Sequence, residues 1–165
     1  MNARAPLRTL VIGCGNIAGG FDAGRNPEAL PFSHAGALRR SAGFDLVACV
    51  EPDTVRRDAF MAHWNVAAGY ASMLEIGADE RFDVICVCSP TAFHSEHVAD
   101  ALHLKPRLLF CEKPVASSLE DAEALVVRCE ESGVLLAINY TRRWAPDVVR
   151  LRDEIAAGEW GAVRS

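Results

Sequence analysis

The sequence predicts an α/β fold in which helices cover both faces of a doubly wound parallel sheet. Short apolar, β-rich runs recur along the 165 residues, and stretches with helical patterns separate them. This alternation is typical of β-α-β units and therefore of parallel strands. Each run is nearly continuously apolar, which is expected for strands that are covered on both faces. A chain of this length and composition is expected to form one such domain.

Five runs are predicted to be strands, at residues 7–12, 45–50, 83–88, 107–111 and 134–139. The carboxyl ends of parallel strands meet at one edge of the sheet. Open sheets of this kind bind ligands outside that edge. The residues that directly follow each run are therefore the first candidates for a functional site.

Helices are predicted between these runs, at residues 34–40, 54–64, 91–104, 119–131 and 146–157. Ser33 can cap the first of them, and Ser117 or Ser118 can cap the helix that Gly133 ends. Pro146 occupies a first-turn position, where its missing N–H costs nothing. Residues 19–32 contain Gly, Asn and two Pro. This stretch predicts a loop inserted where the first crossover helix should run.

A glycine-rich turn follows the first predicted strand. It has the sequence Gly13-Cys14-Gly15-Asn16-Ile17-Ala18 and fits the pattern G-x-G-x-x-G/A. Gly13 would allow a tight turn, Gly15 would let the backbone approach a pyrophosphate, and Ala18 would allow close helix packing. Backbone N–H groups and the positive end of the next helix would then hold the phosphate charge. Three small residues after a strand also occur as an ordinary tight turn.

An acidic residue at the end of the second predicted strand favours dinucleotide binding. Glu51 could accept hydrogen bonds from two ribose hydroxyls, and its charge would repel the 2′-phosphate of NADP. The interval from Ala18 exceeds the usual spacing of about 20 residues, and the insertion accounts for the excess. We therefore expect NAD, with NADP as an alternative because Arg56 and Arg57 lie nearby. The structural alternative is that Glu51 only starts the turn before the next helix.

The third predicted strand is followed by Ser89, Pro90 and Thr91. Pro90 cannot donate to a sheet ladder, so the strand must stop there and the loop is expected along the ligand crevice. His94 and His97 follow at helical spacing. They lack a carboxylate or thiolate partner at metal-binding spacing, so we expect packing or solvated histidines and no metal site.

Glu112, Lys113 and Pro114 occupy the equivalent position after the fourth predicted strand. The ammonium group of Lys113 could orient a substrate hydroxyl or carbonyl and help to move a proton while hydride transfers. The structural alternative is an ordinary Glu-Lys pair on a loop. These three residues alone do not decide between the two interpretations.

The overall composition points to a small-molecule partner. The formal net charge is −5, and no run of five or six like charges occurs, which argues against a nucleic-acid or anionic-membrane surface. The apolar run near the N-terminus is too short for a signal peptide or a membrane span, so a cytoplasmic location is expected. Most of the six cysteines lie in or beside apolar runs, and none forms a Cys-x-x-Cys pair. Buried, reduced thiols are expected.

Taken together, these pieces resemble the N-terminal half of the glucose-fructose oxidoreductase, inositol dehydrogenase and MocA (Gfo/Idh/MocA) family. The resemblance extends from about residue 7 to 165. Besides the glycine turn and the segment Glu112-Lys113-Pro114, the matching pieces are Ser33-His34-Ala35, Glu51-Pro52-Asp53, Ser89-Pro90-Thr91 with His94, Asn139 with Arg142-Arg143-Trp144, and Gly158-Glu159-Trp160-Gly161.

The resemblance implies a Rossmann domain that binds NAD or NADP and takes part in oxidising a sugar or cyclitol hydroxyl, or in reducing the matching carbonyl. It implies that Lys113 is catalytic and that the Lys113-Pro114 bond is cis. Glu112 would either orient Lys113 or meet the cofactor ribose. The expected cofactor-binding residues are Gly13, Gly15, Asn16, Ile17, Ala18, Glu51, Ser89, Pro90, Thr91, His94, Glu112, Lys113, Asn139 and Arg143.

Members of that family continue into a second α/β domain, which is absent from these residues. We expect residues 1–157 to form the cofactor domain and residues 158–165 to begin the crossing into the second domain. One alternative is a non-catalytic dinucleotide-binding or regulatory module. Another is an S-adenosylmethionine-dependent methyltransferase, in which Ser89-Pro90-Thr91 and Glu112-Lys113-Pro114 would have no natural role. A homo-oligomer is compatible with the sequence.

Overall fold

The computed structural model describes residues 5–26 and 28–162 and confirms the predicted fold class. Six strands form one parallel sheet in the order β3-β2-β1-β4-β5-β6. The strands are β1 (Leu7–Ile12), β2 (Phe44–Val50), β3 (Ala68–Tyr70), β4 (Val84–Val87), β5 (Leu108–Cys111) and β6 (Leu135–Ile138). Since the chain order reverses between β1 and β4, a crevice is expected at the carboxyl ends of these two strands.

Five α-helices accompany the sheet in the described ranges. They are α1 (His34–Arg40), α2 (Thr54–Trp64), α3 (His94–Ala101), α4 (Leu119–Glu131) and α5 (Pro146–Ala156). Alternate strand residues face two separate clusters of buried side chains. Residues from α1 and α2 belong to one cluster, and residues from α3 and α4 belong to the other. The sheet is therefore covered on both faces, which explains why its strands are continuously apolar.

Strand β3 was not predicted, so the predicted third, fourth and fifth strands are β4, β5 and β6 of the structure. The missed strand has only three residues, all half-buried, and it lies at the edge of the sheet beside β2. A strand that short shows no apolar run. The predicted helix at 91–104 is also shorter than expected, because its first and last three residues form 3-10 turns around α3.

Helix caps and cysteines agree with the sequence analysis. The Oγ atoms of Ser33 and Ser118 accept hydrogen bonds from the backbone N–H groups of Gly36 and Asp121, respectively, at the first turns of α1 and α4. Gly133 follows α4 with a φ of +66°, a conformation that suits glycine. All six cysteines are buried and free. Among the helices of the described residues, none is long and apolar enough to cross a membrane.

Candidate functional site

Gly13 makes the closest approach between the loops after β1 and β4. Its φ is +86°, and a Cβ built on it would stand 2.8 Å from both Cα and N of Ser89. Its own N–H donates to Val50 O at 2.8 Å, so the turn is also tied to β2. Any larger side chain would strain the backbone and push the two loops apart. Glycine is therefore required where the sheet order reverses.

The rest of the glycine turn consists of consecutive hydrogen-bonded turns that lead into a short 3-10 turn, Gly20–Asp22. Gly19 N–H donates to Gly15 O at 3.1 Å, and Phe21 N–H donates to Asn16 O at 2.9 Å. Within the described residues, the N–H groups of Gly15, Asn16 and Ile17 have no hydrogen-bond acceptor. Free N–H groups at the beginning of a helical turn form a site for an anion.

The insertion at 19–32 lies between the glycine turn and α1, and its described residues contain one 3-10 turn, Gly20–Asp22. The carboxylate of Asp22 accepts hydrogen bonds from the backbone N–H groups of Phe32 and Ser33 and closes the loop. The chain then returns beside the glycine turn, where His34 N–H donates to Ile17 O at 3.0 Å. Ala35 N–H donates to the backbone oxygen of buried Ala18 at 2.8 Å. The insertion thus begins and ends next to the glycine turn, and α1 packs against it.

Glu51 lies at the end of β2, and its side chain contacts the glycine turn. Oε2 accepts the backbone N–H of Cys14 at 3.0 Å, and Oε1 accepts the N–H of Asp53 at 3.1 Å. The guanidinium of Arg56 lies 3.4 Å from Oε1. A carboxylate offers about four acceptor positions, so these three contacts leave about one position for a hydroxyl donor. Arg57 is engaged elsewhere, because it donates to the backbone oxygen of Glu51 at 2.8 Å.

A cavity of about 460 Å³ opens at the carboxyl ends of β1, β2 and β4. Gly13, Glu51, Ser89 and Pro90 line it, together with residues 71–74 after β3. Arg56 also borders a second groove of about 250 Å³, which Gly15 and Asn16 line. The cavity and the groove therefore flank the glycine turn, and together they bring predicted residues from three strand ends into one crevice.

His94 and His97 hold the loop after β4. His97 Nδ1 lies 2.8 Å from Ser89 Oγ, its ring stacks on Phe93, and burial lowers its pKa. His94 is 1% exposed, and its Nδ1 and Nε2 lie 2.6 Å and 2.8 Å from the backbone oxygens of Pro114 and Ser89. His94 therefore joins the loops after β4 and β5, and the cofactor contact that the sequence analysis expects of it stays a prediction.

Glu112 has a role that the sequence analysis did not consider. It is 8% exposed, and its Oε1 lies 2.8 Å from His34 Nε2 and 2.6 Å from Asn139 Nδ2. Burial by itself raises the pKa of Glu112, but hydrogen bonds from His34, Asn139 and the backbone N–H of Lys113 outweigh it, so the pKa lies below its usual value. The carboxylate therefore ties together the start of α1 and the ends of β5 and β6.

Lys113 is exposed directly after this anchored residue. The Lys113-Pro114 bond is cis, as the family resemblance implies. Among the described residues, the Lys113 ammonium forms no salt bridge with an acidic side chain, so it is not paired with Glu112 there. A lysine presented in this way at the ligand edge is available to a bound molecule.

Two of the predicted cofactor-binding residues, Thr91 and Arg143, do not line the cavity or the groove beside the glycine turn. Thr91 is half-buried and begins the 3-10 turn after Pro90. Arg143 is exposed on a 3-10 turn after β6, and its guanidinium makes no hydrogen bond in the part of the chain that the structure describes. Across the same residues, no group of three or more His, Cys, Asp or Glu side chains is arranged to hold a metal ion.

Sequence reasoning missed the site contributions of His34 and of residues 71–74. His34 belongs to a matching piece of the family resemblance, but it lies 78 residues before its partner Glu112. Nothing in the local pattern indicates that pairing. Residues 71–74 line the larger cavity because they follow β3, the strand that the sequence does not reveal. Recognising β3 would have placed this loop at the ligand edge.

Comparison with known proteins gives a consistent result. The family model GFO_IDH_MocA, described as an oxidoreductase family with an NAD-binding Rossmann fold, matches residues 7–140. The 1,5-anhydro-D-fructose reductase of Ensifer adhaerens is 32% identical over 126 residues, which are 76% of this chain and 37% of that protein. The D-glucoside 3-dehydrogenase of Escherichia coli is 27% identical over 96% of this chain and 42% of that protein.

Solved structures show the same relationship. An oxidoreductase from Agrobacterium radiobacter in complex with NAD⁺, L-tartaric acid and magnesium superimposes with a TM-score of 0.77 at 26% identity, over 94% of this chain and 42% of that one. The chain therefore spans about two fifths of the length of the relatives that it matches.

Proposed function

Since this chain belongs to the Gfo/Idh/MocA oxidoreductase family, with its NAD-binding Rossmann fold, we propose that it is the cofactor-binding part of a nicotinamide-dependent dehydrogenase or reductase. The reaction transfers hydride between NAD(P) and a hydroxyl or carbonyl carbon of a sugar, cyclitol or sugar derivative. The named reductase and dehydrogenase among the relatives support this substrate class.

The observation that carries the proposal is the crevice around the glycine turn. The free N–H groups of Gly15, Asn16 and Ile17 suit the two phosphates of a dinucleotide. Glu51 lines the adjoining cavity of about 460 Å³, where an adenosine ribose would meet its carboxylate. Ala18 packs against α1, and the loop of Ser89, Pro90 and Thr91 borders the crevice from the side of β4. These residues fit the cofactor.

Glu51 favours NAD over NADP. Its carboxylate sits at the glycine turn, where a 2′-phosphate would add a second negative charge next to a buried one. NADP would require Arg56 to leave Glu51 and Asp53, with which it forms ion pairs. The side chain of Arg56 is 54% exposed, so that rearrangement is the route by which NADP could still bind.

Lys113 is the proposed catalytic residue. When bound, the nicotinamide accepts or supplies the hydride. The ammonium of Lys113 would hydrogen-bond the reacting oxygen of the substrate and help to move its proton. Asn139 and Glu112 contribute by holding the end of β5, and Arg143 remains a candidate for contact at the rim of the site.

We further propose residues 1–157 as the cofactor domain and residues 158–165 as the beginning of a crossing to a second domain; residues 1–4 and 163–165 lie outside the described residues. We also propose a cytoplasmic location and the absence of a nucleic-acid partner, and the acidic net charge of −5 supports the second of these. A homo-oligomer is supported by exposed apolar residues on α5, namely Val148, Leu151 and Ile155.

A turnover assay of the complete gene product tests this function. We expect NAD⁺ to support oxidation of at least one member of a panel of aldoses, glucosides and inositols, with NADH formation followed by its absorbance. NADP⁺ should give a lower kcat/KM by about 10-fold, because the charge of Glu51 opposes its phosphate. Binding of NADH without turnover on any substrate or on the matching carbonyl compounds would favour a non-catalytic dinucleotide-binding module.

A further inference from the structure

We infer that His34 is a positioning residue for Lys113 and acts on it through the carboxylate of Glu112. The inference rests on the proposed function, because it takes Lys113 as the group that moves the substrate proton. His34 is the first residue of α1 and is 6% exposed, so its side chain is covered by the protein. Its influence must therefore pass through the residues that it contacts.

The first step is the anchoring of Glu112. A carboxylate only accepts hydrogen bonds, so Nε2 of His34 and Nδ2 of Asn139 must be the donors to its Oε1. The backbone N–H of Glu112 donates to Val87 O at 2.9 Å and continues the pairing of β4 with β5. Both the main chain and the side chain of Glu112 are therefore held, and the side chain is held by donors from two other elements.

The second step is the transfer of this order to Lys113. Lys113 directly follows Glu112, whose own backbone N–H is bound to Val87 O. On the far side, the backbone oxygen of Pro114 lies 2.6 Å from His94 Nδ1. The residues before and after Lys113 are thus both held, while the Lys113 side chain is exposed. Loss of the His34 contact would loosen Glu112, the residue that holds Lys113 on one side.

The third step is the connection with the glycine turn. The backbone N–H of His34 donates to Ile17 O at 3.0 Å, and its ring packs on Phe110 with centroids 5.1 Å apart. His34 therefore links the turn proposed to hold the cofactor phosphates with the strand end that carries Lys113. Because a misplacement of about 1 Å can cost about 100-fold in rate, this link is expected to affect turnover more than cofactor affinity.

Two substitutions of His34 separate positioning from bulk packing. In His34→Gln, the side-chain amide nitrogen can occupy the place of Nε2 and keep a donor for Glu112. In His34→Asn, the amide is one methylene shorter and cannot reach it. Both variants are polar and uncharged, so they differ mainly in reach. His103→Asn is the matched control, because His103 is exposed on the 3-10 turn after α3.

In the complete gene product, we expect His34→Asn to lower kcat by about 10- to 100-fold, with an NADH dissociation constant within about threefold of wild type. His34→Gln should restore kcat to within about threefold of wild type, and His103→Asn should match wild type. Equal losses in the Gln and Asn variants would overturn the inference, as would wild-type kcat in both.

Hydrogen exchange of the Glu112 amide, which donates to Val87 O, provides a readout that does not need turnover. The amide should exchange about 10-fold faster in His34→Asn than in wild type, and His34→Gln should stay close to wild type. Unchanged exchange in His34→Asn would contradict the inference even in an active enzyme. A wild-type protein without any dehydrogenase activity would instead refute the proposed function, and the exchange comparison would still decide whether His34 holds Glu112 beside Lys113.

Discussion

Replacement of Lys113 by Met is expected to abolish most turnover and to leave the cofactor bound. In the complete gene product, kcat should fall by about 10²- to 10⁴-fold, the usual contribution of a positioned proton-transfer group. Met has a similar length but carries neither charge nor donor. The NADH dissociation constant should stay within about threefold of wild type, because the proposed phosphate and ribose contacts come from the glycine turn and Glu51.

The chain supplies a closely matched control for this variant. Its only other lysine, Lys105, is also exposed and is also followed by a proline. Lys105 precedes β5, whereas Lys113 follows it, so the two lysines lie at opposite edges of the sheet. Lys105→Met should therefore keep wild-type kcat and KM. Full activity of Lys113→Met in the same assay would remove this lysine from the mechanism.

Replacement of Gly13 by Ala is expected to have the largest effect on folding. The added Cβ would stand 2.8 Å from the backbone of Ser89, and an L-residue would be forced to a φ of +86°. The left-handed conformation and the overpacking together should lower the free energy of unfolding by about 2–5 kcal/mol. Chemical denaturation of wild type and variant measures this difference.

Gly15→Ala is the matched variant of the same turn. A Cβ on Gly15 meets no atom within 4 Å, and its φ is not in the left-handed region. The free energy of unfolding should therefore stay the same or rise by up to about 1 kcal/mol. NADH affinity should nevertheless fall by about 10-fold or more, because the methyl group would stand where the backbone must approach the pyrophosphate. Wild-type NADH affinity in this variant would contradict the proposed position of the phosphates.

The sequence was sufficient for the parts of the fold that depend on local pattern. Continuous apolar runs predicted five of six strands, and the caps at Ser33 and Ser118 were visible because a capping serine lies next to its helix. The short edge strand β3 was not predictable, since three half-buried residues carry no periodic signal.

In the candidate site, too, some residues could be predicted from the sequence and others could not. Gly13, Glu51, Ser89 and Lys113 were placed at strand ends by sequence alone, because every parallel strand delivers its next residues to one edge. The partners of those residues depend on tertiary contacts. The pairing of His34 with Glu112 and the position of His94 between two loops join segments that are 78 and 20 residues apart.

The most direct test of nicotinamide dinucleotide binding in this crevice is a competitive titration of the wild-type chain with NADH, NADPH and S-adenosylmethionine. The fluorescence of the bound nicotinamide reports the binding. We expect saturable binding of one NADH per chain, displacement of NADH by NAD⁺, weaker binding of NADPH and no displacement by S-adenosylmethionine. A chain that binds S-adenosylmethionine in preference to NADH, or that binds no NADH at all, would contradict the assignment of the crevice around Gly13 and Glu51 to a nicotinamide dinucleotide.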